Sequence, residues 1–204
     1  MSLSQLSRWH NHSIMVMTTI LDRQYPTQVI DSILSNHLRV AVEDGELYAS
    51  AKMCVHNALG VAEAFTNRIL VDSLVTFSLD DLDSTVIELP SAPVREIVEM
   101  RYRGEDNQWH TLSGYTFHGN AQRARLELHE LPKLTSATAL GRVEIDARCG
   151  FEDGETENTY SLPGSIEQAV VLLATSFWEG NAIDELPMAA QILLHPYRIH
   201  PYGL

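Results

Sequence analysis

The residues whose types could do chemistry come in short groups. Asp80-Asp81-Leu82-Asp83 places three carboxylates within four positions, and Glu152-Asp153-Gly154-Glu155-Thr156-Glu157 places four within six. Clustered carboxylates are the ligands of hard cations such as calcium and magnesium. Neither run has the alternating ligand positions of a calcium loop, so both read as solvated acidic turns. The chain has nine histidines. None shows HExxH spacing and none joins a Cys/His quartet. Cys54 and His56 are two residues apart, and on a helix that spacing sends the side chains to different faces. Nucleophilic catalysis would need an activated serine or thiol, but no GxSxG occurs, and Ser113-Gly114 sits in a hairpin context. Phosphate cradles of the GxxxxGK[ST] and GxGxxG kinds are missing too. Phe177-Trp178 and Tyr197-Arg198 have the composition of an aromatic binding box, but aromatic pairs of this kind more often pack a core or a subunit contact.

The bulk properties exclude further classes. Fourteen Lys plus Arg against 27 Asp plus Glu give a formal net charge of -13. Tight duplex binding relies on clustered basic side chains that displace counterions. Arg101 with Arg103, and Arg123 with Arg125, are the nearest approach to a cluster, so gripping DNA is disfavoured. An acidic surface is compatible with DNA that slides past without sticking. Cys54 and Cys149 are the two cysteines, which argues against a disulfide scaffold and for reduced thiols in a cytoplasmic setting. The apolar run Ile14–Leu21 is too short to span a bilayer and lacks the flanks of a signal peptide. The expected protein is soluble, not exported, and without a membrane partner. Its 204 residues suffice for one well-buried core or for one domain with a large insertion.

The elements that would position these residues follow from periodicity. Residues 1–25 read as an arm with a short strand around Ile14–Leu21. Thr27 is a candidate N-cap for a helix on which Val29, Ile30, Ile33, Leu34 and Leu38 recur at helical spacing. After the Glu43-Asp44-Gly45-Glu46 turn, a longer helix carries the stripe Leu47, Ala51, Cys54, Val55, Ala58, Leu59, Ala62 and Phe65. From Ile69 to Cys149 the pattern is that of strands. Val94–Arg103 is one. Ala124, Leu126 and Leu128 alternate with Arg123, Arg125, Glu127 and His129, and Val143, Ile145 and Ala147 alternate with polar neighbours. Helix returns near Pro163 with Ser161 as its cap, buries Ile166, Ala169, Val170, Leu173 and Phe177, and stops at Gly180-Asn181. A last helix runs from Leu186-Pro187 to Pro196. The expected fold class is α+β. N-terminal helices (about 27–67) and C-terminal helices (about 163–195) share one core within a domain of residues 26–204, and an antiparallel β-unit (about 69–149) is inserted between them.

The C-terminal third also carries an ordered set of words. Leu162-Pro163-Gly164-Ser165-Ile166-Glu167-Gln168-Ala169-Val170-Val171-Leu172-Leu173 is followed by Phe177-Trp178-Glu179, then Leu186-Pro187, then Leu193-Leu194-His195-Pro196-Tyr197-Arg198. This ending resembles that of phage and prophage head–tail connector proteins. Pro26-Thr27, the helix end His37-Leu38-Arg39-Val40 with its Glu43-Asp44 turn, and Glu88-Leu89-Pro90-Ser91-Ala92-Pro93-Val94 resemble earlier parts of the same family, so the likeness covers roughly residues 25–200. Gly164 and the short Asn181–Glu185 loop depart from the family pattern. The resemblance implies a structural neck adaptor with neither active site nor cofactor. Such a protein forms a ring of identical copies between the portal protein and the stopper or tail-completion protein, with DNA passing through the lumen. It implies a place in the virion neck, and in the host cytoplasm during assembly. Gln168 is then expected to be a buried or interfacial polar group. Pro196 is expected to end the last helix and turn Tyr197 and Arg198 outward. The segment Tyr197–Leu204, with Tyr197, Arg198 and Tyr202, becomes the expected portal or subunit contact, and a chain ending at His195 is expected to fold. The alternative from another class is a small acidic enzyme or ligand-binding α+β domain, which would need convergent polar groups in a concave site.

Overall fold

A computed structural model describes residues 16–90, 92–136, 141–152, 160–180 and 186–199. The architecture is α+β: helices from both ends of the chain enclose one core, and antiparallel sheets form a second beside it. No helix among the described residues is long and apolar enough to cross a membrane.

Strand β1 (Val16–Gln24) comes first, and is longer than the apolar run alone indicates because it pairs with nearly the whole of β2 (Asp72–Leu79). Pro26, not Thr27, occupies the N-cap of α1 (Thr27–Ser32) and supplies the first acceptor, to Ile30 N at 3.0 Å. The helical path then widens into a π-turn, Ile33–Leu38, where a regular α-helix was expected. Arg39 in the left-handed region (φ 57°) ends it, and the Val40 amide closes back on the Leu34 carbonyl at 3.0 Å. The Asp44 carboxylate accepts from the Ala41 amide at 2.7 Å, fixing the turn into α2 (Glu46–Thr66).

Helix α2 buries Ala51, Val55, Ala58, Leu59 and Ala62. Leu47, expected on the same stripe, is 49% exposed because it precedes the part of the helix that α3 covers. Helix α3 (Gly164–Trp178) packs Ile166, Ala169, Val170, Leu173 and Ala174 into the same cluster, and α4 (Met188–Leu194) adds Ala190 and Leu194. Alanines on both α2 and α3 permit close helix approach. Pro163 is the N-cap of α3, and Ser161 instead bridges to Glu152. Gln168 is exposed in the single chain, so of the two expected environments the buried one does not hold.

The β-unit contains β3 (Val86–Leu89), β4 (Val94–Arg103), β5 (Trp109–Thr111), β6 (Tyr115–Gly119), β7 (Ala124–Leu128) and β8 (Val143–Cys149). A five-stranded sheet has the order β1-β2-β8-β4-β5, and a three-stranded sheet the order β3-β7-β6. Their facing sides bury Val75, Phe77, Leu79, Leu126, Val143, Ile145 and Ala147. The alternation along β7 and β8 therefore has the sense that the sequence indicates.

The chain passes between the two cores at neighbouring points. Ile69 belongs to the β-core, whereas Leu70 and Val71 belong to the helical core. Cys149 and Phe151 divide in the same way, and the Phe151 amide bonds the Leu70 carbonyl at 3.0 Å. Gly150 lies at this crossing with φ 93°, and a Cβ there would stand 2.1 Å from the Val71 carbonyl oxygen. Only glycine admits that approach.

Candidate functional site

Two places concentrate polar organisation: the junction between the cores, and the C-terminal segment that closes over the end of α2. Both depend on residues that α2 projects from its last turns.

At the junction, Glu63 Oε1 accepts from the amides of Leu70 (2.8 Å) and Val71 (3.2 Å), and Oε2 pairs with the Arg23 guanidinium. One carboxylate thus holds the end of β1, the α2–β2 connection and α2 itself. A carboxylate in the last turn of a helix opposes the helix dipole, which was the one available hint that Glu63 has other work. Beside it, Tyr25 stacks on His56 with centroids 3.9 Å apart and rings inclined by 12°. Burial, with Lys52 and Arg23 nearby, holds the His56 imidazole below its ordinary pKa. The folded state therefore favours neutral His56. Its contribution is intact above the unfolded pKa of about 6.5 and declines as pH falls from there toward the folded value. Wild-type protein is expected to melt lower at pH 5 than at pH 7.5, with the difference reduced in His56→Phe. An equal acid shift in both proteins would refute this.

A second network fixes the start of β2. Asp72 pairs with Arg95 and, at 3.2 Å, with Arg148, while Arg95 reaches Glu152 at 2.6 Å. These groups are ion-paired to one another and form a strut across β2, β4 and β8.

At the C-terminus, α4 leads into a 3-10 turn, His195–Tyr197. Pro196 lies in its first positions, where a missing amide donor costs nothing, so the chain curls back over α2 rather than turning away. Tyr197 is half-buried against the helical core. Its carbonyl accepts from Nε of buried Arg68, whose Nη1 reaches the Ala121 carbonyl at 2.6 Å. The Ile199 amide bonds the Thr66 carbonyl at 2.8 Å, and Asn67 Nδ2 donates to the Ile199 carbonyl at 3.0 Å. Arg198 is exposed, with its guanidinium 5.3 Å from the Phe65 ring centroid. The structure thus brings Tyr197 and Arg198 together at the end of α2, with Tyr197 turned inward; Tyr202 lies outside the described residues.

The remaining candidates resolve into structural roles. Asp80 Oδ1 accepts from the Gly141 amide at 2.7 Å, and Asp81 pairs with Arg142 at 3.1 Å, so this acidic turn is tied to the start of β8. Residues 153–157 of the second acidic loop lie outside the described residues. Burial pushes the Cys149 thiol up to about 12, which keeps it protonated, and the Cys54 thiol is also raised by burial. Phe177 and Trp178 pack against the helical core. A shallow groove of about 300 Å³ is lined by Tyr102, Thr111, Leu112, Ser113, His129 and Leu131 among others. His129 Nε2 lies 3.2 Å from the Thr116 hydroxyl, an exposed contact between β6 and the end of β7. No group of three or more His, Cys, Asp and Glu able to hold a metal ion occurs among the described residues.

No protein-family model and no curated protein matches the chain. Solved structures do. A chain from the neck of an empty gene transfer agent (GTA) particle, computed with C6 symmetry, is 23% identical with a TM-score of 0.71 over 89% of this chain and 95% of that one. A chain from the virion of a native GTA particle is 22% identical with a TM-score of 0.69 over the same shares. One from the neck of a native GTA particle, computed with C12 symmetry, is 21% identical with a TM-score of 0.65 over 88% and 94%. The likeness is one of fold, and it takes in both the helical core and the β-unit.

Proposed function

We propose that this chain is a structural neck adaptor, a subunit that forms a ring between the portal of a DNA-filled head and the stopper or tail-completion protein below. The observation that carries this reading is the fold shared with a GTA neck chain over 89% of this chain and 95% of that one. The ordered sequence words from Pro26 to Arg198 support it independently. A net charge of -13 suits a ring whose lumen lets DNA pass without specific binding. The adaptor needs no active site or cofactor: it works by contact, in the host cytoplasm during assembly and then in the virion neck. Electron microscopy of the protein mixed with its own portal is the direct test. Added ring density on the portal is expected, and bare portals at saturating protein would overturn the reading.

Within this reading, the segment after Ile199, including Tyr202, is the proposed docking element, with exposed Arg198 at its base. A chain ending at Ile199 keeps the acceptors for Arg68 and Asn67 and the amide that donates to the Thr66 carbonyl. It should give an unchanged circular-dichroism melt yet fail to restore tail attachment to packaged, tailless heads. A chain ending at His195 loses Tyr197 and Ile199 and, contrary to the expectation from sequence, should melt lower. Full tail attachment by the chain ending at Ile199 would remove the docking role.

A further inference from the structure

We infer that the two lateral edges of the five-stranded sheet are the contact between neighbouring copies of this chain, with β1 of one copy meeting the β4–β5 margin of the next. This inference rests on the neck-adaptor reading and adds a partner surface to it. Among the described residues, strand β1 pairs only with β2. Every residue from Met17 to Asp22 is exposed, including Met17 at 63%, Ile20 at 43% and Leu21 at 56%. Thr18 and Ile20 stand opposite Phe77 and Val75, so they continue the core-facing side of the sheet beyond the point where any described residue covers it. Natural edge strands are usually short, charged, or blunted by lysine or proline. This one has nine residues with no lysine and no proline; its one irregularity lies between Ile20 and Asp22, and its charges, Asp22 and Arg23, follow, leaving Val16–Leu21 uncharged. It is also anchored. Arg23 pairs with Glu63, and Tyr25 stacks on His56, just past its end. A long, held edge with exposed Met17, Ile20 and Leu21 is what a strand-to-strand partner requires.

The opposite margin of the same sheet has complementary features. Val98 is 56% and Trp109 41% exposed. The Arg103 guanidinium lies 5.1 Å from the Trp109 ring centroid, and Arg103 has no carboxylate partner among the described residues. Exposed Asp22 supplies a carboxylate on the β1 side. Two unlike edges at opposite ends of one sheet make a head-to-tail contact, the kind that rotation closes into a ring. This points to a second copy as the occupant. Stable free interfaces bury roughly 1,000 Å² or more, and closure of a ring held by sheet edges is expected on the portal template.

Cross-linking on assembled complexes tests the contact. Met17→Cys, Thr19→Cys and Leu21→Cys, each combined with Val98→Cys, sample the pairing register. After assembly on the portal and treatment with a short thiol-specific cross-linker, at least one pair should give a ladder of covalent oligomers. The single variants, which keep Cys54 and Cys149, should give none. Leu21→Asp should leave the melt of the free chain unchanged and reduce ring occupancy on portals at least tenfold. If microscopy shows complete rings of the double variants but no pair cross-links, the edge contact is wrong and the adaptor reading stands. Cross-links within single chains would mean that the chain covers its own edge, which also overturns the contact. If wild-type protein never binds the portal, both fall together.

Discussion

Glu63→Ala is expected to be the most damaging single substitution at the junction, destabilising the protein by about 3 kcal/mol. Three partners lose their acceptor at once: the Leu70 and Val71 amides and the Arg23 guanidinium. An unsatisfied buried amide costs about 1–3 kcal/mol, and an unpaired, largely buried charge adds to that. The Glu63 side chain is 13% exposed and that of Arg23 28%, so water recovers part of the loss and the sum stays below the fully buried limit. For a chain of this size the shift in Tm is roughly 6–12 °C. Glu63→Gln keeps an oxygen for the amides and loses only the ion pair, so it should cost about 1 kcal/mol. The ordering Ala worse than Gln separates the amide contribution from the charge. Equal melts for Glu63→Ala and wild type would show that the junction is held by packing alone.

Removing residues 163–204 is expected to abolish the cooperative fold of the remainder. The deletion takes away Ile166, Val170, Leu173 and Leu194, all fully buried, each contributing about 1.5–3 kcal/mol by burial. It also uncovers Ala51, Val55, Ala58, Leu59 and Ala62 along α2. Four large side chains alone approach the 5–15 kcal/mol by which an ordinary domain is stable. The fragment 1–162 should therefore aggregate or fail to show a cooperative transition by calorimetry. A soluble fragment with a single sharp melt would mean that the β-core and α2 suffice without the C-terminal helices. The β-core buries Phe77, Leu126 and Ile145 in a cluster of its own, so residual strand signal in an aggregating product is consistent with the prediction.

Several parts of the molecule were legible because their cause is local. Leu126 and Leu128 on β7, and Val143, Ile145 and Ala147 on β8, alternate with polar residues, and a strand must send alternate side chains to opposite faces. The stripes of α2 and α3 repeat at helical spacing over enough turns to indicate which face is buried. The α+β order of helices around a β-insertion followed from those periods, and so did the shared core of the two ends. The lack of clustered basic residues, of serine elbows and of phosphate loops was likewise a property of adjacent residues.

What only the tertiary structure decided involves partners far apart in the chain. Strand β1 extends to Gln24 because β2, some fifty residues later, offers a full ladder. Tyr197 turns inward because Arg68 needs an acceptor and Thr66 and Asn67 offer bonds to Ile199; the sequence shows a proline and an aromatic residue there, but not what lies across from them. Glu63 is one acid among 27 in the text, and becomes the clamp of three segments only when Arg23 and Leu70 arrive on either side of it. Gln168 faces water because the buried side of α3 is filled by Ala169, Val170 and Leu173. Side-chain period is written in neighbouring residues, so sequence determined the elements and their buried faces. Hydrogen-bond and ion-pair partners separated by 40 to 132 positions are set by how those elements pack, and no local pattern encodes them.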